Sequence, residues 1–329
     1  MVNNNIQKTK KPILIIDGYH LLYKGYYGSL KRKRQSLNRD GQLINAVYVF
    51  VYNISELIKS GKYHTVIVAL DVGRACWRKE LYPKYKEKRK ETPEDLKPQM
   101  QIMREFLDAA KIPRYEHPTC EGDDVIGTIC KIGCKLGFSF EILSGDKDIY
   151  QLVDDKVKVI SQQTNKEEPV QIDANKVKEL MGVVPKHIPD LKSLCGDSSD
   201  NIAGVKGIHQ NTALSLINQY GCVDCILRDI DAIEGFKPTV INRLKEFQEQ
   251  IEISKRITTI QCDLDIGRIN FSPLKMNYIG LCGFLKQQKM FSFLNLFKEE
   301  VEWQKEMRKK RYERIESENA KNSQNKNPQ

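Results

Sequence analysis

Two short apolar runs, Ile13 to Ile16 and Val66 to Leu70, are rich in β-branched residues, and each runs directly into an aspartate, Asp17 and Asp71. Runs this short, with no polar alternation, read as parallel strands buried on both faces. A third, Phe140 to Leu143, follows a helix-like stretch from Asp124 to Leu136, while Ala46 to Ile58 carries apolar residues at mixed helical spacing between the first two. Strands alternating with helices predict an α/β fold: a mostly parallel central sheet flanked by helices, with a site at the carboxyl ends of the strands. From about Asp173 strand signals fade and helical patterns continue to about Phe297, so a second, mostly helical region is expected, with its boundary near Pro169 to Asp173.

Charge narrows the class of partner. The chain has 53 Lys+Arg and 43 Asp+Glu in 329 residues, and 53 − 43 leaves a net +10. A polyanion is the natural partner, although surface lysines also serve solubility. No apolar run approaches the roughly 18 residues that span a bilayer, and Met1 to Lys11 is polar without a signal core, so a cytoplasmic rather than secreted or membrane protein is expected. The nine scattered cysteines form no disulfide scaffold and suggest a reducing compartment. Cys222 and Cys225 make a lone C-x-x-C without a second ligand pair, which favours buried helical cysteines over zinc. The end of the chain, from Trp303, opens with a charged helical run and closes in Asn, Gln, Ser and Lys.

In this basic chain the acids are placed unevenly. They recur at strand ends and helix starts: Asp17; Asp71; Glu121, Asp123 and Asp124; Asp146 and Asp148; Asp197 and Asp200. Residues two apart in extended chain, or three apart on a helix, point the same way, so each pair can face one focus. Any one of these acids is as well explained as a helix cap or turn residue. Five clusters at one topological position need a common cause. Nine carboxylates on one rim repel strongly unless cations neutralise them, and oxygen-only donors suit hard divalent ions such as Mg²⁺, two of which about 4 Å apart are the usual arrangement for phosphodiester cleavage.

The segments IIDGYHLLYKGYY, VIVALDVGRACWRKELYPKYKEKR, CEGDDVIGTI, SGDKDIYQLV and CGDSSDNIAGVKGIHQNTA, in that order, resemble the 5′ nuclease (flap endonuclease) family, to which the nuclease domain of bacterial DNA polymerase I and stand-alone phage 5′-3′ exonucleases belong. The likeness spans about Pro12 to Phe297. It implies a PIN-like metal-binding nuclease core at 12–172 with a helical arch at about 74–118, a helix-hairpin-helix region at 173–300, a polar extension at 1–11 and a charged, partly disordered tail at 301–329. It also implies a first metal site at Asp17, Asp71, Glu121 and Asp123 and a second at Asp146, Asp148, Asp197 and Asp200, with Asp124 close by, for two or more Mg²⁺ that Mn²⁺ can replace.

Arg74 to Lys90 holds eight Lys+Arg and two Glu, interleaved with Trp77, Tyr82 and Tyr85. Such a run is usually a solvated helical face, but here the aromatics offer stacking surfaces among phosphate-holding cations. In the resembled family it forms the arch, and Lys86 and Arg89, three apart on one helical face, match its catalytic phosphate-contacting cations, with Arg78 as a helper. Leu96, Met100, Met103 and Leu107 recur at helical spacing and are expected to pack. Tyr23 either stacks on a base beside the cleaved bond or packs at a helix start. Gly204, Lys206 and Gly207 resemble a DNA-backbone-binding hairpin. His209 and Asn211 stand where the family has a glycine and a lysine, which puts the hairpin's phosphate grip and its K⁺ in doubt.

Gln288 to Phe297 resembles the closing helix of the nuclease domain more than a clamp-binding motif, with Phe291, Leu294 and Phe297 turned inward. The expected enzyme is a monomeric Mg²⁺-dependent 5′-3′ exonuclease and flap endonuclease of replication or repair. Its expected substrates are branched or 5′-ended DNA and RNA–DNA primer hybrids, and its expected partners a separate DNA polymerase or single-strand-binding protein. The rivals are a non-catalytic junction-binding protein and an RNA-directed metal nuclease.

Overall fold

A computed structural model describes residues 11–33, 35–72, 76–161 and 169–324, with side chains to Asn319. Arg74, nearly all of the polar extension at 1–11 and residues 325–329 therefore lie outside the described residues. The elements run β1 (Ile13–Asp17), α1 (Gly18–Lys31), α2 (Asn45–Lys59), β2 (Val66–Ala69), α3 (Trp77–Leu81), α4 (Lys97–Ala110), β3 (Arg114–Tyr115), α5 (Gly122–Lys135), β4 (Phe140–Leu143), β5 (Val157–Ser161) and β6 (Val170–Ile172). The α-helices that follow are α6 (Ala174–Met181), α7 (Ile188–Cys195), α8 (Gln210–Tyr220), α9 (Val223–Arg228), α10 (Pro238–Glu246), α11 (Gln248–Thr258), α12 (Tyr278–Gln287) and α13 (Lys298–Gln324). None of these helices is long and apolar enough to cross a membrane.

The chain divides into two compact units. The first comprises 1–21, 57–92 and 113–273; the second comprises 22–56, 93–112 and 274–329.

The first unit holds one six-stranded sheet in the order β3-β2-β1-β4-β5-β6, with every pairing parallel except that of β5 with β6. Ile13 to Ile16 and Val66 to Ala69 are buried throughout, as strands covered on both faces require. Strand β1 lies between β2 and β4, so the order reverses there and a crevice opens at the carboxyl ends, where Asp17, Asp71 and Asp146 follow their strands. The same hydrophobic core continues through Val125, Ile126 and Ile129 of α5 into Leu191, Leu194, Ala213 and Leu216 of α7 and α8. The helices after residue 173 thus share their core with the sheet.

Helices α7 and α8 flank a tight hairpin. Val205 N–H donates to the Leu194 carbonyl at 2.8 Å, and a Cβ on Gly204 would meet backbone atoms of Cys195 and Gly196 at 2.3–2.6 Å. Gly207 turns the tip with φ +86°, and Lys206 and Gly207 are exposed there.

In the second unit, Leu96, Met103 and Leu107 are buried as their spacing requires, and Met100 partly so. The 288–297 segment departs from expectation. It forms two 3₁₀ turns rather than a helix, Phe291 is 53% exposed, and Phe293 and Phe297 are the residues turned inward. Gln288 is buried, accepting a hydrogen bond from Asn38 Nδ2 at 3.1 Å. All nine cysteines are free, and Cys222 and Cys225 are half-buried rather than fully buried, Cys222 capping α9.

Only a residue without Cβ fits at position 204 against unyielding backbone. Gly204→Ala is expected to destabilise the first unit by about 1–3 kcal/mol, read as a lower urea midpoint; an unchanged midpoint would show that the hairpin yields.

Candidate active site

The ends of three parallel strands set the centre. Asp17 closes β1, and its carboxylate accepts from the His20 N–H at 3.0 Å and from Ser144 Oγ at 3.0 Å. Ser144, just past β4, accepts in turn from the Asp146 N–H at 3.1 Å, and Asp146 Oδ1 accepts from the Asp148 N–H at 2.9 Å. Past β2, Asp71 Oδ1 accepts from the Gly122 N–H at 2.6 Å, where the first turn of α5 exposes unpaired backbone donors. That link ties Asp71 to the helix start bearing Glu121 and Asp123.

Burial lifts the Asp17 carboxyl to about 7, and the charges of Asp71 and Asp146 add to the rise. Asp123 is raised well above its ordinary value by burial and by Asp146 and Asp17. Asp71 is raised by burial and by Glu121, against the pull of Lys86 and Arg89. These three carboxylates lack enough positive charge.

The outer acids have found cations. Lys86 Nζ donates to Glu121 Oε1 at 2.6 Å and lies 3.7 Å from Asp200, and Arg89 is 3.5 Å from Asp200. Burial disfavours the Lys86 ammonium, yet Glu121 and Asp200 hold its pKa above the usual value. Lys86 and Arg89 do not share a helical face as expected. Residues 83–88 form turns, Lys86 has φ +52°, and its N–H donates to the Asp200 carbonyl at 2.9 Å. The two side chains converge because the loop folds back onto 200–201, where Asn201 Nδ2 donates to the Lys84 carbonyl at 2.8 Å.

A further cation escaped sequence reasoning. Lys192 Nζ, on α7, donates to Asp148 Oδ1 and, at 2.5 Å, to Asp197 Oδ2. Burial would raise Asp197, but Lys192 holds it at about 2, whereas burial keeps Asp148 at about 6 despite the same lysine. The available signal was a lone lysine one and a half turns before the GDSSDN acids.

Three residues expected at the site turn inward instead. Asp124, assigned to the metals, is fully buried and accepts both Arg78 guanidinium nitrogens at 2.6 and 2.7 Å, as well as the Gln261 N–H at 2.8 Å. Arg78, assigned to DNA, is 2% exposed and also donates to the Ile257 and Thr259 carbonyls. This bidentate pair meets the rim only from beneath, at Glu121, whose Oε2 lies 3.4 Å from Arg78 Nη1 and whose N–H donates to Asp124 Oδ2 at 3.2 Å. Tyr85, expected to stack on bases, is buried among Cys76, Ile202 and Ile257, with its hydroxyl 2.9 Å from Glu121 and 3.2 Å from Asp200. Trp77 and Tyr82 pack against the same cluster. Tyr23 belongs to the second unit and stacks on Tyr27, ring centroids 6.4 Å apart.

Among the described residues no three Asp, Glu, His or Cys side chains close on one point at metal-ligating distance. Glu121, Asp148, Asp197 and Asp200 turn instead to Lys86, Arg89 and Lys192, the nearest positive charges. The donors still suit a hard divalent ion: they are oxygen only, several are buried, and Asp17, Asp71 and Asp123 raise one another's pKa or that of a neighbour.

Residues 12–182 match the family description "5′-3′ exonuclease, N-terminal resolvase-like domain", and residues 183–279 match "5′-3′ exonuclease, C-terminal SAM fold". The chain belongs to the 5′-3′ exonuclease family. DNA polymerase I of Bacillus subtilis (strain 168) is 35% identical over 289 residues, which is 87% of this chain and 31% of that protein. The chain thus spans about a third of the length of that curated relative. T5 5′-exonuclease with divalent metal ions (zinc) bound superposes with a TM-score of 0.60 at 25% identity, covering 76% of this chain and 90% of that one. The bacteriophage T5 flap endonuclease in a pseudo-enzyme–product complex with DNA and metal ions matches with a TM-score of 0.60 at 24% identity, over 76% and 90% of the two chains. The mostly parallel α/β fold and the 5′ nuclease family expected from sequence are both borne out.

Arg78→Ala leaves Asp124 buried and unpaired and is expected to cost about 3–5 kcal/mol of stability in urea unfolding. A loss below about 1 kcal/mol would mean that the pair is not structurally required.

Proposed function

We propose that this chain is a divalent-metal-dependent 5′ nuclease, using Mg²⁺ or Mn²⁺, that hydrolyses DNA phosphodiesters at 5′ flaps and 5′ ends, including primer hybrids, as a cytoplasmic monomer beside the DNA-synthesis machinery. The observation that carries the reading is the set of half-buried carboxylates at the carboxyl ends of β1, β2 and β4, bordered by Lys86 and Arg89, in a chain of the 5′-3′ exonuclease family. That a T5 relative is described with DNA and metal ions supports the substrate class.

Asp17, Asp71, Glu121 and Asp123 are the residues proposed to hold one ion, and Asp146, Asp148, Asp197 and Asp200 another. Bound there, divalent ions would lower the pKa of a water and neutralise charge developing on the phosphate. The chain's own groups do the positioning. Lys86 Nζ and the Arg89 guanidinium, now 2.6 and 3.5 Å from carboxylates, are placed to take phosphate oxygens. Ser144 and the His20 and Gly122 N–H groups fix the orientation of Asp17 and Asp71 before substrate arrives. Tyr85 holds Glu121 and Asp200 at one spacing and is a positioning residue. At the hairpin, exposed Lys206 and the backbone of Gly204 and Gly207 are suited to a duplex phosphate, a contact that reads backbone rather than sequence.

A labelled 5′-flap duplex should be cut only with Mg²⁺ or Mn²⁺ present; no metal-dependent cleavage would sink the proposal. Lys86→Ala is expected to slow the single-turnover rate about 100-fold, with flap binding retained. Asp146→Asn should abolish cleavage to at least the same extent, and full activity in that variant would favour a non-catalytic junction binder.

A further inference from the structure

Within the second unit, three elements enclose a cleft of about 680 Å³. Lys111 ends α4 in the left-handed conformation, φ +57°. The Asn277 N–H donates to the Ala110 carbonyl at 2.9 Å and its Nδ2 to the Ala109 carbonyl at 3.1 Å, holding the 275–277 segment against that helix end. Gln304 on α13 then closes the third side: its Nε2 donates to the Met276 carbonyl at 2.6 Å, and its Oε1 accepts from the Ile279 N–H at 3.3 Å. The walls are fastened by hydrogen bonds.

What lines this cleft is cationic. Lys111, Lys275, Arg308, Lys310, Arg311 and Arg314 face it, and no Asp or Glu is among its lining residues. Helix α13 has ample glutamates, but they pair along the helix, Lys310 with Glu306 at 2.7 Å and Arg314 with Glu318 at 2.8 Å. For Lys111, Lys275 and Arg311 no carboxylate partner is found among the described residues. Cations so gathered repel one another, and only Arg308 among the three arginines of the row reaches a wall residue, donating to Asn277 Oδ1 at 3.3 Å. Arg308, Arg311 and Arg314 follow at three-residue intervals, about 4.5 Å of helix rise each, a row of guanidinium groups suited to successive phosphates. Residues 183–279 end the family match, so α13 lies beyond it.

We propose that the cleft is a second nucleic-acid contact, holding the phosphate backbone of DNA without reading its bases. The choice of DNA rests on the nuclease reading. An anionic membrane is the other polyanion available, but it calls for a convex apolar stripe between cations, whereas this surface is concave and α13 carries Glu299, Glu302, Glu306, Glu313 and Glu316 away from the cation row.

The test is fluorescence anisotropy of a labelled 5′-flap duplex against full-length protein, comparing wild type with Lys111→Ala/Lys275→Ala/Arg311→Ala at several salt concentrations. About a tenfold or larger loss of affinity is expected, with the slope of log affinity on log salt reduced by about 2–3 and restored by the corresponding Lys→Arg and Arg→Lys changes. Unchanged affinity and slope, with matching circular dichroism, would overturn the inference, as would wild-type sedimentation with anionic phospholipid vesicles that the triple variant loses while keeping its DNA affinity. If wild type cuts no flap with any divalent metal, the nuclease reading fails; if it cuts and the variant binds as wild type, only this inference does.

Discussion

Crowding of like charge at the carboxyl ends of parallel strands is the constraint to which the rest of the first unit answers. Two carboxylates 4 Å apart repel by about 4 kcal/mol at the effective dielectric of a protein near its surface, and here several share one crevice. The fold answers at three levels. Backbone N–H groups and Ser144 hold Asp17, Asp71 and Asp146 in place. Lys86, Arg89 and Lys192 draw off the outer acids. Beneath them, Arg78 and Asp124 pin α3 to α5 and to the end of α11. Asp17 is lifted to about 7, first by burial and then by the charges of Asp71 and Asp146.

This arrangement divides the basic segment between two tasks. Arg78 and Tyr85 point inward and set the spacing of Glu121 and Asp200, while Lys86 and Arg89 reach the rim. The left-handed backbone at Lys86 costs about 1–2 kcal/mol, and it persists because that geometry lets one residue bind Asp200 through its N–H and Glu121 through its side chain. A regular helix through 83–89 would separate those two contacts.

What could be read beforehand follows from where local information suffices. The strands leading to Asp17 and Asp71 were legible because four or five apolar residues in a row, three of them β-branched, have one stable use in an α/β domain, and the acids were legible as a set because five clusters shared one topological position. Strand β5, Val-Lys-Val-Ile-Ser, and the two short edge strands carry weak signals that only sheet neighbours complete. Phe291 faces outward and Phe293 inward because 291–297 is broken into two separate 3₁₀ turns, so no single helical face runs through the segment.

The residue types alone determined the chemistry on offer: oxygen donors in excess, cations beside them, and a motif order that identifies the 5′-3′ exonuclease family. Which residues face the crevice was decided only in three dimensions. Asp123 and Asp124 are adjacent in sequence, yet a turn of helix start sends one to the rim and the other to Arg78; Lys192, unremarked in the chain, arrives between Asp148 and Asp197 because α7 packs there. Side-chain direction and long-range ion pairing depend on partners many residues away, which is why local pattern named the carboxylates and only tertiary structure assigned their counter-charges.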